Sequence, residues 1–558
     1  MSETGKTGIL TDRRLLRSGY VLLVHLALAA TAPAVTCTWD GTVNDWTNAT
    51  HWNGGLPVNG ATGVITNGTA QINTNLYNAG LGETAPAEIR IASNGNLQFA
   101  DGTIAQPSIS DHNLVLDGGT LGTVHMGGAD VRYDHDLKIR SGSTLAPYLS
   151  RPDRSGILRL FGALRDYDVS HTGILTSTNI FGQTWIYSTN NPFSGGWYVP
   201  EGVVGAGAPG ALGTGDITIT NNGTVGWGIS GFSHDAVVAD TNMPSITVWN
   251  GGTLAFCGTW ETVAQYSNAP GKTITLKDGS KIGTIWGDWL QISINAPLHV
   301  SGNVTFEYSS QRKWLTFAGD MINDGPSTIT WNGKAGTDAG YTAIAKADNA
   351  YTGNWILTTV NPVTYLSVQN DGALGTGSVE LRSGPPVLNI SQSLKLYNVI
   401  YGAGTLGTAS RTLTLSPRYR NATLTDAGVA PGTNWATAAG TLAVPGNLTL
   451  TNLVNYDGLG HDAYSKVNIL LTTAAPGAGT NSMVQVAGNL NGLANADLNV
   501  TVTPKVPLAT YTILTAANDL SAQRFHSVAF SGGAGRVIYN TNSVQVMTIA
   551  GGTVLFVR

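Results

Sequence analysis

The chain writes itself twice, and that constrains its fold more than any other feature. The first copy carries Leu158-Arg159-Leu160-Phe161-Gly162, then Asn191-Pro192-Phe193-Ser194-Gly195-Gly196-Trp197, then the hexapeptide GALGTG at Gly210 to Gly215. The second carries Leu315-Thr316-Phe317-Ala318-Gly319, then Asn349-Ala350-Tyr351-Thr352-Gly353-Asn354-Trp355, then GALGTG again at Gly372 to Gly377. From copy to copy the landmarks lie 157 (Gly162 to Gly319), 158 (Asn191 to Asn349) and 162 (Leu212 to Leu374) positions apart. Order is kept and spacing nearly so. The likeness extends backward, since Leu114-Val115-Leu116-Asp117-Gly118-Gly119-Thr120-Leu121 reads like Ile274-Thr275-Leu276-Lys277-Asp278-Gly279-Ser280-Lys281. Long blocks of short apolar runs and Gly turns, repeated, imply units that bury their edges on one another in a stacked array.

Between the turns the runs are three to six strand formers long, and Asn-Gly or Asp-Gly follows them at Asn67, Asn94, Asp101 and Asn222. Such spacing leaves no room for an amphipathic helix and predicts an all-β chain. The 71 glycines among 558 residues are too few and too irregular for collagen, and interleaving with Val, Ile, Leu and Thr argues against disorder. The recurring corners, such as 117–121, 222–225 and 250–254, each place a Gly or Asn where positive φ is needed and an apolar residue just after it. A right-handed parallel β-helix meets these demands. In the run 447–452 the alternation places Leu448 and Leu450 inside and Thr449 outside. A net charge of −5 gives no field to hold a polyanion, so nucleic acid is not an expected partner.

The order L-x-[LF]-x-G, N-x-[FY]-[ST]-G-x-W and ALGTG resembles the autotransporter-associated β-strand repeat. The opening Trp39-Asp40-Gly41, Trp46 and His51-Trp52-Asn53-Gly54-Gly55 is similar to the tryptophan-rich start of such proteins, and the stretch 430–450 resembles their exit motif, PGxxxGTLxVxGxLTL. The resemblance covers most of the chain in patches. It implies a solenoid passenger, exported and displayed at the bacterial surface or secreted, and it names no activity.

Residues 1–34 read as a cleavable signal peptide: Arg13, Arg14 and Arg17 precede an apolar run from Tyr20, which ends in Ala32-Pro33-Ala34. No later stretch is apolar enough to span a bilayer as a helix. The expected organisation is a tryptophan-rich N-terminal β region at 35–110, a parallel β-helix at 111–450 holding the two long repeats (about 111–225 and 270–387), and a C-terminal β region at 451–558. That last region has longer strands and either continues the stack or caps it. Cys37 and Cys257 are the only cysteines. With coils of about 22 residues stacked about 4.8 Å apart they would lie tens of ångströms from each other, so no disulfide is expected.

Chemistry is concentrated in 130–171. Asp130, Arg132, Asp134, Asp136, Lys138, Arg140, Arg151, Asp153, Arg154, Arg159, Arg165, Asp166 and Asp168 crowd this stretch, with Tyr133, His135, Tyr148, Tyr167 and His171 among them. On a strand, Asp134 and Asp136 would face the same side. Such a pair could bind Ca²⁺ or move protons, with Arg132, Tyr133, His135, Asp166 and Asp168 as further candidates for a polysaccharide lyase or glycoside hydrolase site. The same pattern also reads as a solvated ladder of alternating charge. The second copy lacks the Asp-His-Asp run. Metal-ligand spacing, CxxC, GxSxG, P-loop and dinucleotide fingerprints are absent from the sequence. Trp286, Trp289 and Trp314 could stack on sugars or plug coil corners. The reading is an elongated structural and adhesive protein that contacts glycans, with a carbohydrate-active enzyme as the alternative.

Overall fold

The structure, a computed structural model, describes residues 35–549 apart from 47, 58–59, 73–87, 101–112, 125–129, 148–156, 171–172, 179–181, 229–239, 257–262, 285–289, 309–312, 334–339, 360–363, 383–386, 403, 409–410, 421, 432–438 and 473–480. Short strands wind into a parallel β-solenoid with three faces. Only two short 3-10 turns, Ala49–His51 and Leu493–Asn495, interrupt the β structure of the described residues. The expected signal peptide, Cys257, Trp286 and Trp289 lie outside the described residues.

Face one begins with Thr36–Trp39, Thr62–Ile65 and Glu88–Ala92 and resumes with Asp240–Met243, Ala264–Asn268 and their successors up to Thr510–Thr515. Face two runs from Val43–Asp45 through Trp197–Val199 to Ile274–Leu276. Face three runs from Asp130–Tyr133 through Ile157–Leu160 to Ser527–Ser531. Two long strands, Leu298–Tyr308 and Met321–Gly333, turn the corner from face two to face three without a break. Ile274 pairs with Leu298 and Leu298 with Met321, so these coils take 24 and 23 residues.

Alternation sets the core. Leu448 and Leu450 are buried at 1% and 0% exposure while Thr449 between them is half-buried, as the pattern predicts. One continuous apolar cluster runs from Cys37 to Val546. Cys37 is a buried free thiol, its Sγ 3.6 Å from the Gly54 carbonyl, and burial raises its pKa. Most of the short strands bury only one to three apolar side chains, so stability accumulates coil upon coil.

The repeated motif is a set of ties between coils. Asn191 accepts a bond from the Leu164 amide of the coil below and donates one to the Ala211 carbonyl of the coil above. Asn349 likewise accepts from the Met321 amide at 2.8 Å. Trp197 donates through Nε1 to the Leu212 carbonyl at 3.0 Å, and Trp355 does the same to the Leu374 carbonyl at 3.0 Å. The middle glycine of GALGTG has no substitute. Gly213 and Gly375 have φ of +78° and +72°, and a Cβ would stand 2.2 Å from the Phe193 oxygen in one copy and 1.8 Å from the Tyr351 oxygen in the other.

The two copies do not lie one above the other. Leu158 is followed up face three by Thr184, Val204, Val225, Leu254, Ile282 and Phe306, which is six steps. Leu315, its sequence counterpart, sits on the next face, paired with Ile292 and Thr342. The repeat therefore spans six turns and one face, and each copy is rotated a third of the way around the prism.

At the C-terminal end Ala463–Leu471, Ala496–Val502 and Ser527–Ser531 continue face three in parallel register. Ser543–Ile549 then turns back antiparallel on Thr510–Thr515, and Ala534–Tyr539 pairs antiparallel with it. Continuation and closure are both present, the antiparallel hairpin taking the last edge of face one.

Candidate functional site

The charged stretch begins on the strand Asp130–Tyr133, where Val131 and Tyr133 point inward at 3% and 0% exposure. Tyr133 packs against Phe99 with ring centroids 5.9 Å apart, and its hydroxyl has no hydrogen-bond partner. Burial, with Asp136 adding to it, pushes its pKa far above that of an ordinary tyrosine. Arg132 faces out, its guanidinium 4.1 Å from the centroid of Phe161, and Phe161 stacks on Tyr187 of the following coil at 4.5 Å and 7°. This is a three-storey outer stack of one cation on two rings.

Asp134, His135 and Asp136 lie in the corner after this strand, before Leu137–Ser141 begins. The same-face argument for a strand therefore does not apply to them. Asp134 pairs with Arg132 Nε at 2.6 Å. Asp136 accepts from the Ala163 amide at 2.8 Å and from Arg165 Nε at 2.5 Å, both on the next coil. Asp166 accepts from the Ser194 amide and hydroxyl one coil further on, and Asp168 closes a local turn with Ser170. The carboxylates thus go to separate partners. Side chains at 130 and 151–154, with Tyr148 and His171, lie outside the described residues.

The second copy shows what Asp166 does. Its counterpart Asn323 accepts from the Thr352 amide at 3.1 Å and the Thr352 hydroxyl at 2.8 Å, the same two bonds made by a neutral amide. Asn354 to Ser378 and Asp371 to Lys395 repeat the device. Its function in these corners is to satisfy a backbone N–H of the neighbouring coil, and charge is incidental to that bond.

A denser polar cluster, which the sequence pattern does not announce, sits at the C-terminal end of face three. Asp497 accepts from Lys466 Nζ at 2.7 Å, His526 Nδ1 at 2.8 Å and Ser527 Oγ at 2.6 Å. Burial works against its charge, but the bonds from Lys466, Ser527 and His526 outweigh it and hold the carboxyl below the usual range. His526 stacks on Tyr464 with centroids 3.5 Å apart. The register Lys466, Asp497, Ser527 across three strands could have signalled this cluster only once the coil lengths were known. The Ser527 hydroxyl donates to the carboxylate, as His526 does, rather than to the imidazole, so this is a charge tie across coils and not a nucleophile relay.

Among the described residues, no group of three or more His, Cys, Asp or Glu side chains is placed to hold a metal ion, and no helix is long and apolar enough to cross a membrane. The geometry defines a class: a parallel β-solenoid whose outer polar groups tie coil to coil. No family model, curated protein or solved structure matches the chain.

Proposed function

We propose that the chain is an exported, elongated scaffold of the autotransporter-associated repeat kind, displayed at the bacterial surface or in the extracellular matrix, where it adheres through glycans. The observation that carries this reading is the single apolar core running from Cys37 to Val546 inside a long stack of parallel strands. A rod built this way has little interior to hide a substrate and a long outer surface to present. The Arg-flanked apolar run at 20–30 and the Ala32-Pro33-Ala34 end support export.

Two measurements test it. Expressed with its own leader in a Gram-negative host, the chain should reach the periplasm with a new N-terminus near residue 35; recovery of the intact N-terminus from the cytoplasm would overturn export. The purified protein, screened against acidic and neutral polysaccharides for retention and for product release, should retain at least one and cleave none. Cleavage would replace the scaffold reading with the carbohydrate-active one.

A further inference from the structure

Face two carries a groove of about 530 Å³ on its outer side, where Leu175–Ser177, Trp197–Val199 and Ile217–Ile219 stack. The corner beneath it is low because glycines are packed into it: a Cβ on Gly195 would stand 2.0 Å from the Gly173 oxygen, and one on Gly215 2.2 Å from the Gly196 nitrogen. Trp197 and Val199 are buried at 1% and 0%, so the alternation throws Tyr198 outward, where it is 39% exposed among the lining residues. Ile174 stands beside it at 52% exposure, and the Asp216–Lys272 ion pair, 3.1 Å long, forms part of the rim.

We propose that this groove binds a polysaccharide, with one sugar ring laid on Tyr198 and the hydroxyls of that ring or its neighbour bonded to Asp216 and Lys272. An aromatic side chain offers an apolar surface to the C–H face of a pyranose, while a carboxylate and an ammonium side by side accept from and donate to hydroxyls on the same sugar. A peptide is less well served. The strands of the floor are paired on both sides, Thr176 to Tyr198 to Thr218 to Thr247, which leaves no edge for an added strand. The second copy does not repeat the constellation. In the second copy Tyr198, Asp216 and Thr218 become Ile356, Ser378 and Glu380, so the groove is not a by-product of the repeat.

The inference rests on the adhesive reading, and the experiment separates the two. Full-length wild type, Tyr198→Ala, the double variant Asp216→Asn/Lys272→Met and the control Trp249→Ala, which removes an aromatic 48% exposed outside the groove, would be compared in affinity electrophoresis through gels containing the same polysaccharides. Circular dichroism and melting confirm that each is folded. Both groove variants should bind at least tenfold more weakly than wild type while Trp249→Ala binds like wild type. Equal retention of wild type and Tyr198→Ala would overturn the groove and leave glycan adhesion standing. A wild type that binds none of the polysaccharides overturns the groove and adhesion through glycans together, and leaves the exported rod to the secretion test. Saturable binding to a peptide array that is lost in Tyr198→Ala would reassign the groove to a peptide and overturn the saccharide.

Discussion

At the scale of single residues, burial decides which members of the charged stretch face solvent. Tyr133 carries a hydroxyl into the apolar core with no protein partner. Tyr133→Phe removes an unpaired polar atom and leaves the ring in place, so it should stabilise the chain by about 1 kcal/mol, read as a higher urea midpoint. A lower midpoint would mean the hydroxyl is bonded. Asp40 is the opposite case. The Thr42 amide, and then the His51 side chain, hold its carboxyl down from the usual 3.8 to about 2. A depressed folded pKa contributes stability above the unfolded value and loses it as pH falls through the folded one. Asp457, Asp497 and Asp519 are shifted the same way. The melting temperature should therefore hold down to about pH 4 and fall between about pH 4 and 2. In Asp40→Asn the fall should be shallower, and a melting temperature that rises on acidification would contradict the assignment. From sequence Tyr133 is a candidate for an outer site, and the side chain turns inward instead, although Val131 and Tyr133 already show the period of two. The corner at Asp134 to Asp136 was not legible, because a charged run carries no apolar phase to show where its strand ends.

At the scale of elements, the unit is a strand of three to five residues that means little until the next coil pairs with it. Leu448 fills the core and Thr449 the outer ladder of the same strand, Asn447–Leu450. Leu448→Ala should cost about 2 to 5 kcal/mol and Thr449→Ala less than about 1 kcal/mol in chemical denaturation. Equal costs would show the two side chains in similar surroundings. The hydrophobic phase here was readable from sequence since Leu and Thr alternate without a break. The ties made by Asn191, Asn349, Trp197 and Trp355 were visible only as recurring letters. Their partners lie 15 to 28 residues away. Such distances acquire meaning once the length of each coil is fixed, and coil length varies with insertions at the corners.

At the scale of the whole molecule, coils that contact only their neighbours make a rod. Small-angle scattering from the chain lacking residues 1–34 should give a radius of gyration well above the roughly 24 Å of a compact globule of this length. A value near 24 Å would exclude the solenoid. The rotation between the two sequence copies bears on how such a rod meets its surroundings. A ligand fibre lying lengthwise along one side touches the surface of one copy and passes the other by, since the corresponding residues look out over a different third of the circumference. Duplicating this block thus adds a second direction of contact instead of a second rung on the same ladder. Each copy has been free to change its outward letters, Tyr198 here and Ile356 there, without spoiling a shared docking line. If the rod adheres as proposed, it would bridge neighbours on several sides at once, like a post in a lattice.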